Sequence, residues 1–242
     1  MLWRAPTVIG HRGTGRGRNH WGEDENTPAA IRRAYALGAR WIETDAQLSY
    51  DGVLVVYHDI ALADGRLINQ LRVDELAAAS VATLADLVDP MPVDCAFDLE
   101  AKASGRDVPG AGPKLDTADA LADFIRVRIH ERPLVGSSFD PGMALRLVQA
   151  GVPTGLLGRT GWPWRETVWA AHRLGCAFAI GEAAGVLAAP DKVEVWHWAQ
   201  LHGIELAAWD ATRRTAPDLL AAGIVGLCTD DVTGVLDRIG AS

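Results

Sequence analysis

The stretch WIETDAQLSYDGVLVVYHD, running from Trp41 to Asp59, decides the reading of the fold. Trp41 to Leu48 alternates as a β-strand does, and the period of two puts Glu43 and Asp45 on the same side. Asp51-Gly52 is a strong hairpin signal, with Val53 to Val56 as the return arm. A two-residue turn there sets position 50 against 53, so Asp45 is expected to face His58. Two carboxylates and an imidazole then converge at one end of a strand pair. That is costly unless a metal ion or a ligand compensates it.

Outward from this stretch, short apolar runs alternate with helical spacings. Thr7 to Gly10 reads as a buried strand ending in His11-Arg12-Gly13. A loop over Thr14 to Asn26 follows. Thr27-Pro28 then starts a helix that Gly38 ends, since a hydroxyl caps the first turn and proline suits it. Val73 to Val88 carries a helical spacing, and Val93 to Glu100 is the next strand, with Asp98, Glu100 and Lys102 on one face. Residues 105–113 are rich in glycine and proline, hence a loop. Helices are expected at Thr117–Arg128, Pro141–Ala150, Arg165–Leu174, Lys192–His202 and Pro217–Ala222. Strands are expected at Pro133–Gly136, Thr154–Leu157, Cys176–Ile180, Ile204–Trp209 and Ile224–Cys228.

With the hairpin arm set aside, eight strands alternate with helices. A closed (β/α)8 TIM barrel requires that pattern, and an open doubly wound sheet is the alternative. The expectation is one α/β domain over residues 1–242, with a β-hairpin arm after the second strand. In a parallel barrel the loops after the strands build the active site. His11, Arg12, Glu43, Asp45, Glu100, Lys102, Ser138, Trp209 and Asp230 all fall at or just beyond strand ends, and the hairpin brings His58 to their level.

Composition sets the bounds. At 242 residues and 49% hydrophobic, the chain can bury one large core. A net charge of -8 argues against a nucleic-acid groove. Cys95, Cys176 and Cys228 lie in or beside apolar runs and read as buried thiols rather than a disulfide framework. No stretch has the length of a signal or membrane-spanning segment, so a cytoplasmic protein without stable membrane insertion is expected. Trp162, Trp164, Trp169, Trp196 and Trp198 sit at helical spacings and read as packing residues, whereas Trp209 either walls a pocket or packs the core.

Glu43, Asp45 and Glu100 form a suitable oxygen set for a hard divalent cation, magnesium or calcium. Singly, each reads better as an ordinary ion-pair partner of Arg40, Lys102 or another basic residue, and it is three at strand ends beside two histidines that point to a site. His11 and His58 are the natural proton-transfer pair. A zinc role for them lacks any CxxC, HxxH or HExxH spacing. Arg12 and Lys102 supply positive charge to an anionic small-molecule substrate such as a phosphate, or act as countercharges for the carboxylates. Lys102 on a barrel strand also admits a Schiff-base enzyme, and a binding barrel without catalysis is a third reading.

Several short blocks carry a resemblance. They are HRG at 11–13, ENT at 25–27, IETDAQLSYDGVLVVYHD from Ile42, FDLEAK at 97–102, SSFD at 137–140, Trp209, and CTDDV from Cys228. Together they resemble glycerophosphodiester phosphodiesterases, barrel enzymes related to the phosphatidylinositol-specific phospholipases C. The resemblance implies that Glu43, Asp45 and Glu100 hold the metal. It makes His11 and His58 the general acid and base, and sets Arg12 and Lys102 near the phosphate. The implied reaction cleaves a glycerophosphodiester to glycerol 3-phosphate and an alcohol. A phospholipase D-like enzyme acting on lysophospholipid or sphingomyelin is the nearest alternative. Two segments depart from the family text. The loop Thr14 to Asp24 is long and carries Arg16, Arg18, His20 and Trp21, and Trp209-Asp210-Ala211-Thr212 stands where the family has W-T-x-N.

Overall fold

The protein is described from a computed structural model, which covers residues 2–3, 5–102 and 116–240; the loop expected at 105–113 lies outside the described residues. Its strands are β1 (Thr7–Gly10), β2 (Trp41–Leu48), β3 (Leu54–Val56), β4 (Ala96–Ala101), β5 (Leu134–Ser138), β6 (Thr154–Leu157), β7 (Phe178–Glu182), β8 (Glu205–Trp209) and β9 (Gly226–Thr229). Its helices are α1 (Pro28–Ala36), α2 (Val73–Ala78), α3 (Leu84–Val88), α4 (Asp116–Arg128), α5 (Pro141–Gln149), α6 (Trp164–Leu174), α7 (Ala183–Ala188), α8 (Lys192–His202), α9 (Ala216–Ala221) and α10 (Val232–Ile239). Strands β1, β2 and β4 to β9 pair in parallel, and β1 also pairs with β9. The ring therefore closes, with helices between its strands, as a (β/α)8 barrel.

Two apolar layers hold it. Inside the ring, Ile9, Trp41, Val135, Leu157, Phe178 and Ile180 pack with Trp3, whose ring meets Trp41 and Phe178 edge-on at 5.9 and 5.2 Å. Outside it, the buried stripes of the helices pack onto the outward residues of the strands, Ile31 of α1 and Val235 of α10 among them. Thr27 caps α1 as its side chain accepts from the Ala30 N–H at 3.3 Å.

Strand β3 runs antiparallel to β2, but not in the expected register. Ala46 lies opposite Val56 and Leu48 opposite Leu54. The loop is the three residues Tyr50-Asp51-Gly52, closed by the Ser49 N–H to Val53 O at 2.9 Å, with Gly52 at φ +81°. The Ser49 hydroxyl accepts from Val53 N at 2.9 Å and donates to Asp51, which stabilises this longer turn over a two-residue one. Asp45 consequently faces Tyr57, whose N–H donates to the Asp45 carbonyl at 3.1 Å, and not His58.

Three further expectations need correction. The helical spacing from Val73 to Val88 is two helices, because Ser80 at φ +64° ends the first. The Val81 N–H reaches Leu76 O and the Ser80 N–H reaches Ala77 O, a Schellman ending made without glycine. Thr83 then caps α3 reciprocally with Asp86. The second correction concerns Trp162 and Trp169, which are 48% and 40% exposed rather than packed. Trp162 precedes α6, and Trp169 lies off its buried stripe of Trp164, Thr167, Val168 and Ala171. Third, α7 and α10 had no counterpart in the expected elements.

Candidate active site

The parallel strands deliver their C-terminal residues to one rim. There a cavity of about 170 Å³ is lined by His11, Arg12, Glu43, His58, Glu100 and Trp209, among others. Asp45 and Lys102 stand behind this lining and join it through ion pairs. His58 arrives because the chain leaves β3 at Val56 and bends over residues 58–60.

The carboxylates come together because β2 and β4 are in register, with Glu43 beside Asp98 and Asp45 beside Glu100. Glu43, Asp45 and Glu100 each offer an oxygen within 4.8 Å of the others. Glu43 Oε2 accepts from the Arg12 backbone N–H at 3.0 Å, while the buried Oε1 has no hydrogen-bond partner. Asp45 Oδ2 accepts from the Asn26 amide at 2.8 Å, and Lys102 Nζ lies 3.2 Å from Asp45 and 3.0 Å from Glu100. Burial pushes Glu43 well above the carboxylate range, helped by the charges of Asp45 and Glu100. Burial likewise lifts Glu100 to about 7, only partly offset by Lys102. Asp45 goes the other way: burial would raise it, but Lys102 and Arg12 overcome that and hold it low. Burial would also lower Lys102, and the same carboxylates outweigh it and keep the amine charged. Crowded carboxylates with an orphaned buried oxygen fit a hard divalent cation, which is bound through oxygen.

The imidazoles are each oriented by an aspartate. His11 Nδ1 lies 2.7 Å from Asp230 Oδ1, leaving Nε2 turned toward Glu43 at 3.8 Å. His58 Nδ1 lies 2.8 Å from Asp59. Burial lowers the His58 pKa, and Lys102 and Arg12 add to this against the opposing charge of Asp45. Asp230 is drawn down to about 2, since its bonds to His11 and Arg16 outweigh the effect of burial. Arg12 ties the two sides, its Nη1 at 2.9 Å from Glu25 and its Nε at 3.3 Å from Asp45. Part of the rest of the cavity is apolar, beside the polar Arg16, Asp98 and Asp210. Phe139, Leu157, Ile180 and Cys228 line it, and Trp209 stands edge-on to Phe139 at 6.2 Å with its indole N–H on Gly158 O.

His11, Arg12, Glu43, Asp45, His58, Glu100, Lys102 and Trp209 therefore gather at this rim, with Trp209 as a pocket wall, whereas Ser138 is buried with its hydroxyl on Ala101 O. Asn26 and Arg16 belong with the rim group yet stood outside the candidate set, and Asp230, expected at the rim, had been given no role there. Asp230 was signalled by its place at a strand end. Asn26 buries its amide between Asp45 and the Thr44 hydroxyl, whose bond to it is 2.7 Å. Of the four non-glycine residues at positive φ among the described residues, Arg12, Asn26 and Asp210 are at this site. Backbone held in that region persists where its surroundings enforce it.

The chain is similar to known proteins along nearly its whole length. The family model described as "Glycerophosphoryl diester phosphodiesterase family" matches residues 11–233. The "Glycerophosphodiester phosphodiesterase" of Caldanaerobacter subterraneus subsp. tengcongensis is 29% identical, over 96% of this chain and 97% of that protein. The glycerophosphodiester phosphodiesterase structure from Thermotoga maritima has a TM-score of 0.77 at 23% identity, covering 95% of this chain and 96% of that one. A phosphodiesterase of Oleispira antarctica, solved in complex with the product sn-glycerol-3-phosphate, has a TM-score of 0.73 at 23% identity, covering 98% and 97%. With the matched span reaching from His11 to beyond the last strand, the chain belongs to the glycerophosphoryl diester phosphodiesterase family and is a phosphoric diester hydrolase.

Proposed function

We propose that the protein hydrolyses glycerophosphodiesters to glycerol 3-phosphate and an alcohol, using His11 and His58 for proton transfer and one divalent cation, Mg2+ or Ca2+. The observation that carries this reading is the meeting of two aspartate-anchored imidazoles with Glu43, Asp45 and Glu100 at one rim. The product named in the Oleispira antarctica complex supports the choice of substrate. The cation held by those three carboxylates would neutralise charge that gathers on the phosphoryl oxygens. Arg12 and Lys102 lie beside the carboxylates and supply fixed positive charge to the same end of the cavity.

One imidazole takes the proton of the attacking hydroxyl, from water or from the substrate's own glycerol, and the other protonates the departing alcohol oxygen. Asp230 and Asp59 each hold a ring Nδ1 and so turn Nε2 outward for this work. The apolar wall of Phe139, Leu157 and Ile180 excludes water from one side of the reacting group. We place this reaction in one domain over residues 1–242. A reducing, cytoplasmic setting suits the three buried free thiols of Cys95, Cys176 and Cys228.

Turnover of glycerophosphocholine, glycerophosphoethanolamine, glycerophosphoglycerol and lysolipids, with each cation and with chelator, tests the proposal. His11→Ala and His58→Ala are each expected to lower turnover by about 100-fold or more with the fold intact. Turnover of acyl-bearing lipids alone, or undiminished rates in chelator, would refute it.

A further inference from the structure

Helices α6 and α8 lie side by side on the outside of the barrel and run the same way, from the rim end to the far end. Arg165 pairs with Asp191 near their starts, Trp169 meets Trp198 at 6.3 Å midway, and His172 meets His202 at 5.0 Å near their ends. A surface helix ordinarily buries an apolar stripe and turns a polar side outward. Helix α8 departs from this: it buries Val195 and Ala199 yet leaves Val193 and Leu201 exposed, Leu201 at 84%. Beside it Trp198 is half-buried and Trp169 of α6 is exposed.

Charge runs in the same order along both helices. At helical spacing α6 presents Glu166, Trp169 and Arg173, while α8 presents Glu194, Trp198 and the pair Leu201-His202. Glu166, Glu194 and Arg173 have no ion-pair partner among the described residues. At the rim end Arg165 is taken by Asp191, and the Lys192 amine rests on Ala189 O. Two carboxylates against that one amine leave the rim end of this face negative, and Arg173 leaves its far end positive.

Such a face is complementary to itself when turned end for end. A two-fold axis that crosses both helices at right angles, through Trp169 and Trp198, turns it so. Residues 166 and 173 are centred beside Trp169, so Glu166 meets Arg173 of the second copy. Residues 194 and 202 are centred on Trp198, so Glu194 comes level with His202 of the second copy. One axis serves both helices because the two indoles are neighbours. A lipid surface would accept the indoles and Leu201 but would bury two carboxylates without a counterion. We propose that the α6/α8 face is the interface of a symmetric homodimer, with the indoles at its centre and a Glu166–Arg173 pair on either side. Interfaces concentrate aromatic residues and arginine in this way. The two rims then point in opposite directions, and both cavities stay open.

Sedimentation velocity of the full chain, between about 1 and 100 µM, is expected to show a dimer that forms with rising concentration. Leu201→Asp, at a side chain that is almost wholly exposed, is expected to leave the folded monomer throughout. Glu166→Arg and Arg173→Glu are each expected to weaken association about tenfold, because the two-fold repeats every reversed contact. The two substitutions together are expected to restore it, since opposite charges face each other again. Circular dichroism checks the fold of each variant. A native chain that stays monomeric to about 100 µM overturns the proposal. So does a folded Leu201→Asp protein that still dimerises, or a double variant as weak as the single ones. Native monomer that floats with phosphatidylcholine vesicles would overturn it as well, and would give the face to a lipid surface.

Discussion

Replacing Asp230 with asparagine probes the His11 anchor most directly. The substitution keeps the shape and a hydrogen-bonding group but removes the charge 2.7 Å from Nδ1. That charge fixes the ring's orientation and, in the proposed reaction, would steady the positive charge that develops on it during proton transfer. Two unit charges about 4 Å apart attract by about 4 kcal/mol at an effective dielectric of about 20. Asp230 is 35% exposed and shares its carboxylate with Arg16, so solvent and the competing guanidinium halve this, to about 2 kcal/mol. That corresponds to a fall in kcat of roughly 30-fold. Steady-state kinetics on a glycerophosphodiester, with circular dichroism as a check of folding, measures it. A folded Asp230→Asn protein within about threefold of native kcat would refute the anchoring role. The same residue gives a stability signature. Its pKa is depressed to about 2 from an ordinary 3.8, so its contribution is present above pH 3.8 and is lost as pH falls through 2. The gap in melting temperature between native protein and Asp230→Asn should therefore close on acidification.

Glu43→Gln is expected to weaken Mg2+ or Ca2+ binding by about tenfold or more in calorimetry, because it removes one of three close anionic donors. Equal affinity in the two proteins would take Glu43 out of the metal site. Asp98 is expected to report through pH. Burial raises it to about 7, so the native fold loses stability as pH climbs from about 4 to about 7, where the unfolded chain ionises and the folded one resists. In chelator, the melting temperature of Asp98→Asn should gain on native protein across that window and level off above it. A constant offset would contradict the raised value. Asn26→Ala should cost about 3 kcal/mol in urea unfolding. It strips partners from the buried Thr44 hydroxyl and Asp45, and it places alanine at φ +57°. A loss under about 0.5 kcal/mol would show that the amide is dispensable.

The closed barrel was legible because its signals are local. Strand β2 and the run Thr154–Leu157 stand where alternation and turn residues put them, and so does helix α8. The carboxylate cluster was legible for the same reason, since strand parity alone brings Glu43 and Asp45 to one side. What escaped notice depends on single side chains or on long separations. A serine hydroxyl chose a three-residue hairpin loop and so moved the register by one. A serine in place of glycine concealed the end of α2. Asp230 reaches its histidine across 219 positions and Asn26 reaches Asp45 across 19, distances over which no periodicity speaks. Arg16 was noticed as part of a long loop, but its ion pairs with Asp210 and Asp230 join positions far apart in sequence.

Trp3 stoppers the ring at the end away from the chemistry, wedged against Trp41 and Phe178 with its backbone N–H on Glu205. The barrel is consequently a cup with a sealed base, and traffic of water, ions and small molecules to its centre passes over the lip alone. An inhibitor has one way in.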